Sequence, residues 1–358
     1  MAVRFIKNKH VVLVPVVMFG ALGLVATLAW KSMKPLREKN GFVRVLSSQT
    51  TLPLINVSPK NEEIVDIAGV TKTQIYFKTR IPGILLTTDY NLKNKKYINL
   101  NIPNKDKIGA LFSYIIDSNE IQILAGNLQS VISVKQGENI KIHGFNTGVF
   151  SRGVLIGPNS YIFRGFDTSL KTVDQIFIKK NSLTGKVAIE NNISEKNNDA
   201  GISTDGALRY DSKTHLITYT FYYRNTFMCL DTNLNLKYLG HTIDTINTSQ
   251  TKIEKVLSGT AITNTTPKRF INSKISVSNG LMFNNSNLKS DNENPEDFER
   301  KSVIDVYDIK TGKYKISFYL SNMENEKMTH FKVIDDIVIV LYKKHIATFK
   351  LDREFNFD

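Results

Sequence analysis

GALRYDSKTHLITYTFYYRNTFMCLDTNLNLKYLGHTI, from Gly206 to Ile243, reads as four β-strands in succession. ALRYD, LITYTFYY, FMCL and LKYLG are short β-branched or aromatic runs, and the polar turns DSKTH, RN and DTNLN separate them. Short apolar or alternating runs bounded by such turns are the strand signal, and four consecutive antiparallel strands make one propeller blade. The second half of this unit returns along the chain. Its copies are LLTTDYNLKNKKYINL from Leu85, VISVKQGENIKIHGF from Val131, IFIKKNSLTGKVAI from Ile176, IDVYDIKTGKYKISF from Ile304 and IATFKLDREFNF from Ile346. Most recur roughly every 40 to 50 residues, the period of four-stranded blades.

The fold expected is therefore all-β: a six-bladed β-propeller of four-stranded antiparallel blades over residues 63–358. The last blade supplies only THFKVID, DIVIVLYKK and HIATFKLD before the chain stops, which leaves an open edge. Residues 31–62 are read as a tether, with VRVLSS and LPLINV between Gly41 and Val57 as donors of the closing strand. Two segments interrupt the period, Asn247 to Pro267 and the acidic run Asn284 to Arg300. Both are expected as surface loops, the second solvated or mobile.

Ahead of the blades, Val11 to Trp30 carries no charged residue, and about 20 apolar residues is the length that crosses a bilayer as a helix. Residues 1–10 form a short basic tail with Arg4, Lys7 and Lys9, and residues 11–30 are read as a transmembrane helix or signal anchor. A cleaved signal peptide ending near Thr27-Leu28-Ala29 is the rival reading. Basic residues flank both ends, so charge alone leaves orientation open. The default places the large domain outside the cytoplasm, on a bacterial inner membrane facing the periplasm.

The chain holds 47 Lys and Arg against 33 Asp and Glu, a net charge of +14. That excess favours anionic partners, but it is scattered, with no basic-aromatic nucleic-acid motif, and no nucleic acid is expected. Cys229 is the lone cysteine and sits in an apolar strand, so it reads as a buried thiol. The six histidines show no HExxH or His-x-His spacing, and no GxSxG elbow, P-loop or GxGxxG turn occurs. No metal site, cofactor or catalytic set is nominated.

Blade register gives the sharpest site reading. Loops joining second to third strands lie on one rim, and there the chain places Arg80, Arg164, Arg224 and Lys344, each after an apolar or aromatic strand end. With Tyr223 and Asn225 beside Arg224, this set is read as a rim that binds carboxylate, phosphate or sulfate groups, or stacks on a sugar. The competing reading makes these cations solvated strand ends or braces within their own blades.

The region after the anchor, with ALRYDSKTHLITYTFYYRNTFMCLDTNLNL as a full blade, resembles the six-bladed NHL, TolB-like and gluconolactonase-like propellers, and uncharacterised Bacteroidetes envelope propellers in particular. Gluconolactonase-like members imply a calcium held at the channel by acidic and Asn side chains. The innermost strands here offer Ser113, Arg152, Arg209, Ser276 and Lys332 instead, with Arg152, Arg209 and Lys332 expected to line the channel. The preferred function is a membrane-tethered, non-catalytic propeller that binds a protein, peptide or glycan at the envelope. The alternative is a propeller hydrolase or lactonase with a metal or acid/base site in the central channel.

Overall fold

The computed structural model describes residues 9–33, 39–135, 137–145, 148–166, 174–190, 192–249, 253–256, 261–264, 269–351 and 355. Helix α1 (Lys9–Met33) comes first, followed by β1 (Leu46–Thr51) and β2 (Leu54–Pro59). Side chains of α1 are described from Pro15 to Lys31, and Arg4, Lys7, Lys9, Lys34 and Arg37 lie outside the described side chains. Among the described residues no helix is long and apolar enough to cross a membrane.

Six four-stranded antiparallel blades follow. They are β3–β6 (Ile64–Val70, Ile75–Thr79, Ile84–Thr88, Lys96–Asn99), β7–β10 (Phe112–Ile116, Glu120–Ala125, Ser130–Lys135, Lys141–Gly144) and β11–β14 (Phe150–Gly157, Ser160–Gly165, Ile176–Asn181, Val187–Ile189). The fourth is β15–β18 (Gly206–Asp211, Leu216–Phe221, Thr226–Leu230, Leu236–His241). A hairpin, β19 (Ile253–Val256) and β20 (Ala261–Asn264), stands before the fifth, β21–β24 (Asn272–Ser278, Leu281–Ser286, Lys301–Asp308, Tyr314–Ser321). Strands β25–β27 (His330–Ile334, Ile337–Leu341, His345–Lys350) belong to the sixth.

Sequence and burial agree strand by strand. Middle strands such as LITYTF (β16) are buried on both faces, as their unbroken apolar pattern requires, whereas outer strands such as LKYLGH (β18) alternate toward solvent. Each neighbouring pair of blades shares an apolar cluster. Phe177 of blade three meets Leu208 and Tyr219 of blade four, and Phe77 and Leu86 of blade one meet Ile339 and Ile346 of blade six, so the ring is packed all round.

Closure comes from the segment before the first blade. β2 pairs antiparallel with β27, from Leu54 opposite Phe349 to Pro59 opposite His345, and completes the sixth blade. β1 runs parallel to β24 as a fifth strand on blade five, which covers that blade's outer edge. The Asn284–Arg300 run departs from a solvated loop. It carries a short helix, α2 (Pro295–Arg300), and its carboxylates grip the chain ahead of β1: Asp291 accepts from the Asn40 and Gly41 N–H groups, and Glu293 pairs with Arg44.

Candidate functional site: a cation-lined channel

Antiparallel order fixes which loops share a face. The innermost strands β3, β7, β11, β15, β21 and β25 line the axis and contact one another in ring order. Each starts at the same face, so that face carries the connections between blades and the loops joining second to third strands. Two connected compartments, of about 480 and 540 Å³, form the channel, and they share Asp66, Lys78, Ser113 and Arg209. The first opens at the face just defined, past Leu111, Arg152, Tyr222, Lys274 and His330. The second reaches Lys332 and Tyr210.

Five cations line this space: Lys78, Arg152, Arg209, Lys274 and Lys332. Two of them double as blade-to-blade ties. Arg152 Nε donates to Gly206 O at 3.3 Å, and its Nη2 donates to Asp205 Oδ1 at 3.3 Å. Gly206 has no room for a side chain there, because a Cβ would stand 2.4 Å from Thr220 O. Arg209 Nε donates to Ile275 O at 2.8 Å and Nη1 to Leu208 O at 2.8 Å, so blade four is tied to blade five without a carboxylate. Lys78 donates to Phe112 O and lies 3.8 Å from the Phe112 ring centroid. Lys274 and Lys332 make no side-chain hydrogen bond or ion pair among the described residues.

The acidic side is sparse. Among the described residues, Asp66 is the carboxylate that lines both compartments. Its Oδ1 accepts from Ile67 N at 2.8 Å and stands 4.0 Å from His330 Nε2. Burial lowers the pKa of Lys78 and Lys274, and of Lys332, where Arg209 lowers it further. Burial likewise depresses Arg209. At Arg152 burial is the largest influence and works against the charge, but Asp205, Tyr222 and Tyr219 together outweigh it and the pKa rises. Desolvation dominates at His330 and lowers its pKa despite Asp66. Desolvated like charges clustered in a cleft make this channel the candidate functional site. Among the described residues no group of three or more His, Cys, Asp or Glu side chains can hold a metal ion.

Of the rim residues singled out from sequence, Arg80, Arg224 and Lys344 sit in the loops after β4, β16 and β26 and Arg164 near the end of β12, and they do not converge on one site. Arg164 is buried; it bonds Ser194 Oγ and Thr204 Oγ1 (3.4 Å) and lies 4.6 Å from the Phe177 ring centroid and 5.2 Å from that of Tyr219. It braces blade three against the connection to blade four. Arg224 makes a two-pronged pair with Glu195 (2.9 and 2.5 Å) and covers the Phe221 ring. Tyr223 is buried beside Phe270, and Asn225 is spent on Asp244 O at 2.7 Å. Arg80 is exposed beside an apolar groove lined by Ile81, Ile84, Tyr97 and Ile98, and Lys344 is exposed. Arg164→Ala should accordingly lower stability by about 1.5–3 kcal/mol, the loss of hydrogen bonds to a charged group, in urea unfolding. An unchanged midpoint would contradict the brace.

Of the residues read from sequence as channel-lining, Arg152 and Arg209 stand in the first compartment, and Arg209 and Lys332 in the second. Sequence reading missed Lys78, Lys274, Asp66, His330 and Tyr222. Asp66 and Lys274 alternate with apolar residues on innermost strands, a signal that was legible. Lys78 lies on a second strand and reaches the axis only because its side chain spans to Phe112, which no periodicity announces.

No family model matches the chain, and no curated protein matches its sequence. Solved structures similar to it include a member of the DUF4221 family from Bacteroides vulgatus, 13% identical with a TM-score of 0.48, covering 87% of this chain and 98% of that one. A streptogramin B lyase is 11% identical with a TM-score of 0.47, covering 83% and 97%. The catalytically inactive virginiamycin B lyase from Staphylococcus aureus with quinupristin is 12% identical with a TM-score of 0.45, covering 86% and 98%. This chain is a six-bladed β-propeller with cations along its axis.

Proposed function

We propose that this protein is a membrane-tethered, non-catalytic binding propeller of the cell envelope that takes an anionic group, carboxylate, phosphate or sulfate, into the mouth of its central channel. One observation carries the reading: five cations face the axis against Asp66 and the Arg152-paired Asp205, and Lys274 and Lys332 have no side-chain partner among the described residues. Desolvated cations without counter-charges are costly in the empty protein, and an anionic ligand supplies what they lack. The tether rests on the uncharged run Val11–Trp30 and the exposed apolar side chains of α1, among them Phe19, Leu24 and Trp30. On this reading the propeller stands outside the cytoplasm.

The test is calorimetric titration of the full chain in detergent with inorganic phosphate and with an oligogalacturonate. Binding should weaken as salt rises, and Lys274→Glu should weaken it by about tenfold or more without lowering the unfolding midpoint. Absence of binding to both probes at low salt would sink the reading.

A hydrolytic or lactonase reading has one specific observation in its favour, the Asp66–His330 pair at the mouth. Burial lowers the pKa of His330 and so favours the neutral imidazole, Nε2 faces Asp66, and Nδ1 is buried without a hydrogen-bond partner among the described residues. A neutral imidazole is competent as a general base. His330→Gln separates the two readings: it leaves anion binding intact in a binding protein and abolishes turnover in an enzyme.

A further inference from the structure

We propose that the channel-mouth face of the propeller is seated on the lipid bilayer, with Ile81, Leu111, Val149 and Phe270 entering the interfacial layer. The inference rests on the tether proposed above and adds which face the tether presents. Three independent placements converge on it.

The first is where the chain joins the ring. Asn40 N donates to Asp291 Oδ1 at 2.7 Å, Asn40 Nδ2 donates to Lys289 O at 2.7 Å, and Thr245 Oγ1 donates to Asn40 O at 2.7 Å. Lys289 and Asp291 follow β22, the second strand of blade five, and Thr245 follows β18, the last strand of blade four, so all three belong to loops of the mouth face. Phe42 then seals the joint by packing on Ile271 and Leu288. The chain is thus locked to this face before it enters β1.

The second is length. Asn40 stands seven residues after Met33, the last residue of α1, and a chain of that length spans at most about 25 Å. A helix end held at the membrane surface therefore keeps the mouth face within about 25 Å of it. The opposite face lies a further strand length away, roughly 20 Å for a six-residue strand.

The third is the distribution of exposed apolar side chains. Ile81 lies between second and third strands, while Leu111, Val149 and Phe270 lie between blades, so all four stand on the mouth face. They are 46%, 75%, 42% and 37% exposed. Arg80 is next to Ile81 and Arg269 next to Phe270, both exposed, and apolar tips flanked by cations suit an anionic lipid interface. Several carboxylates of the same face are neutralised by ion pairs, Glu195 with Arg224, Asp205 with Arg152, Glu293 with Arg44 and Asp297 with Lys301, while Glu62, Glu63, Asp106, Glu296 and Glu299 stay exposed there. Among the described residues the turns of the opposite face hold one exposed large apolar side chain, Leu183. A mouth turned to the bilayer also places the channel cations where anionic headgroups are concentrated.

The experiment uses the full chain reconstituted in phosphatidylcholine vesicles containing phosphatidylglycerol and brominated lipid. Trp30 is replaced by Phe, and a single Trp is introduced as Leu111→Trp, Ile81→Trp or, on the far face, Leu183→Trp; all three sites are exposed and accept the larger ring. Quenching at residues 111 and 81 should exceed that at 183 by about twofold or more, and the difference should shrink without phosphatidylglycerol. Equal quenching at the three positions, in protein that resists alkaline carbonate extraction, overturns the seated face and leaves the tether standing. Release by carbonate overturns both.

Discussion

Arg44→Ala should cost about 3–5 kcal/mol of stability, the largest loss expected from a single side chain in this protein, because it leaves Glu293 and Asp305 buried without their counter-ion. Arg44 Nε donates to Asp305 Oδ1 at 2.7 Å, Nη1 pairs with Glu293, and Nη2 donates to Asp305 Oδ2 at 3.2 Å and to Leu288 O at 3.0 Å. All three charged side chains are essentially sealed from solvent. Burial works against the guanidinium charge, but the carboxylates Asp305 and Glu293 outweigh it and hold Arg44 far above its ordinary pKa. Glu293 also accepts from Tyr319 OH at 2.5 Å and Ser290 N at 2.6 Å, and Asp305 accepts from Ser317 Oγ at 2.6 Å. The network is therefore satisfied on every side, which is the condition under which removing one partner is most damaging.

Location sharpens the consequence. Arg44 stands between the joint at Asn40 and strand β1, and β2 follows to complete the sixth blade. Loss of the network should loosen the segment that closes the ring, so urea unfolding of Arg44→Ala should show a lower midpoint, and hydrogen exchange should rise first in β1 and β2. Arg44→Met with Glu293→Gln and Asp305→Asn removes the charges together and should recover part of the loss. A single substitution within about 0.5 kcal/mol of the parent would refute the clasp.

These particulars show what the sequence could and could not disclose. Blade four was legible because each strand is short, apolar and bounded by a polar turn, and the same holds for blades one, two and three. The partner of β2 was readable from the missing strand at the C-terminal end. The parallel β1 was not, since LSSQTT lacks an apolar alternation and pairs only through backbone groups beside Tyr319 and Ser317. The acidic run before α2 was misread for a related reason: composition reports that Asp291 and Glu293 are charged, whereas the partners that hold them, Asn40 and Gly41 for Asp291 and Arg44 for the buried Glu293, lie roughly 250 residues earlier. Rim arginines were read from loop position, but loop position says nothing of what packs above a side chain. Ser194 and Thr204, from the link between blades, close over Arg164 and remove it from the surface.

Lys332→Met should do the opposite of Arg44→Ala and stabilise the empty protein, by about 1–2 kcal/mol, while weakening the binding of anions in the channel. Lys332 lies deep on β25, its pKa is lowered by burial and by Arg209, and among the described residues it has no bonded partner. Methionine keeps the length and removes the desolvation and the repulsion. The pH dependence gives a second readout. A lysine whose folded pKa is lowered binds fewer protons in the folded than in the unfolded chain between the depressed value and 10.5, so its destabilising effect is full below that window and fades as pH rises through it. Lys78 and Lys274 act in the same sense. Stability of the parent should therefore climb on the alkaline side before tyrosine ionisation in the unfolded chain reverses the trend near pH 10, and Lys332→Met should flatten that climb. Anion binding should fall over the same pH range as the lysines discharge. A variant that is less stable than the parent at neutral pH, or that keeps the full alkaline rise, would show that Lys332 carries no electrostatic strain, and the case for a channel poised to receive an anion would lose its energetic basis.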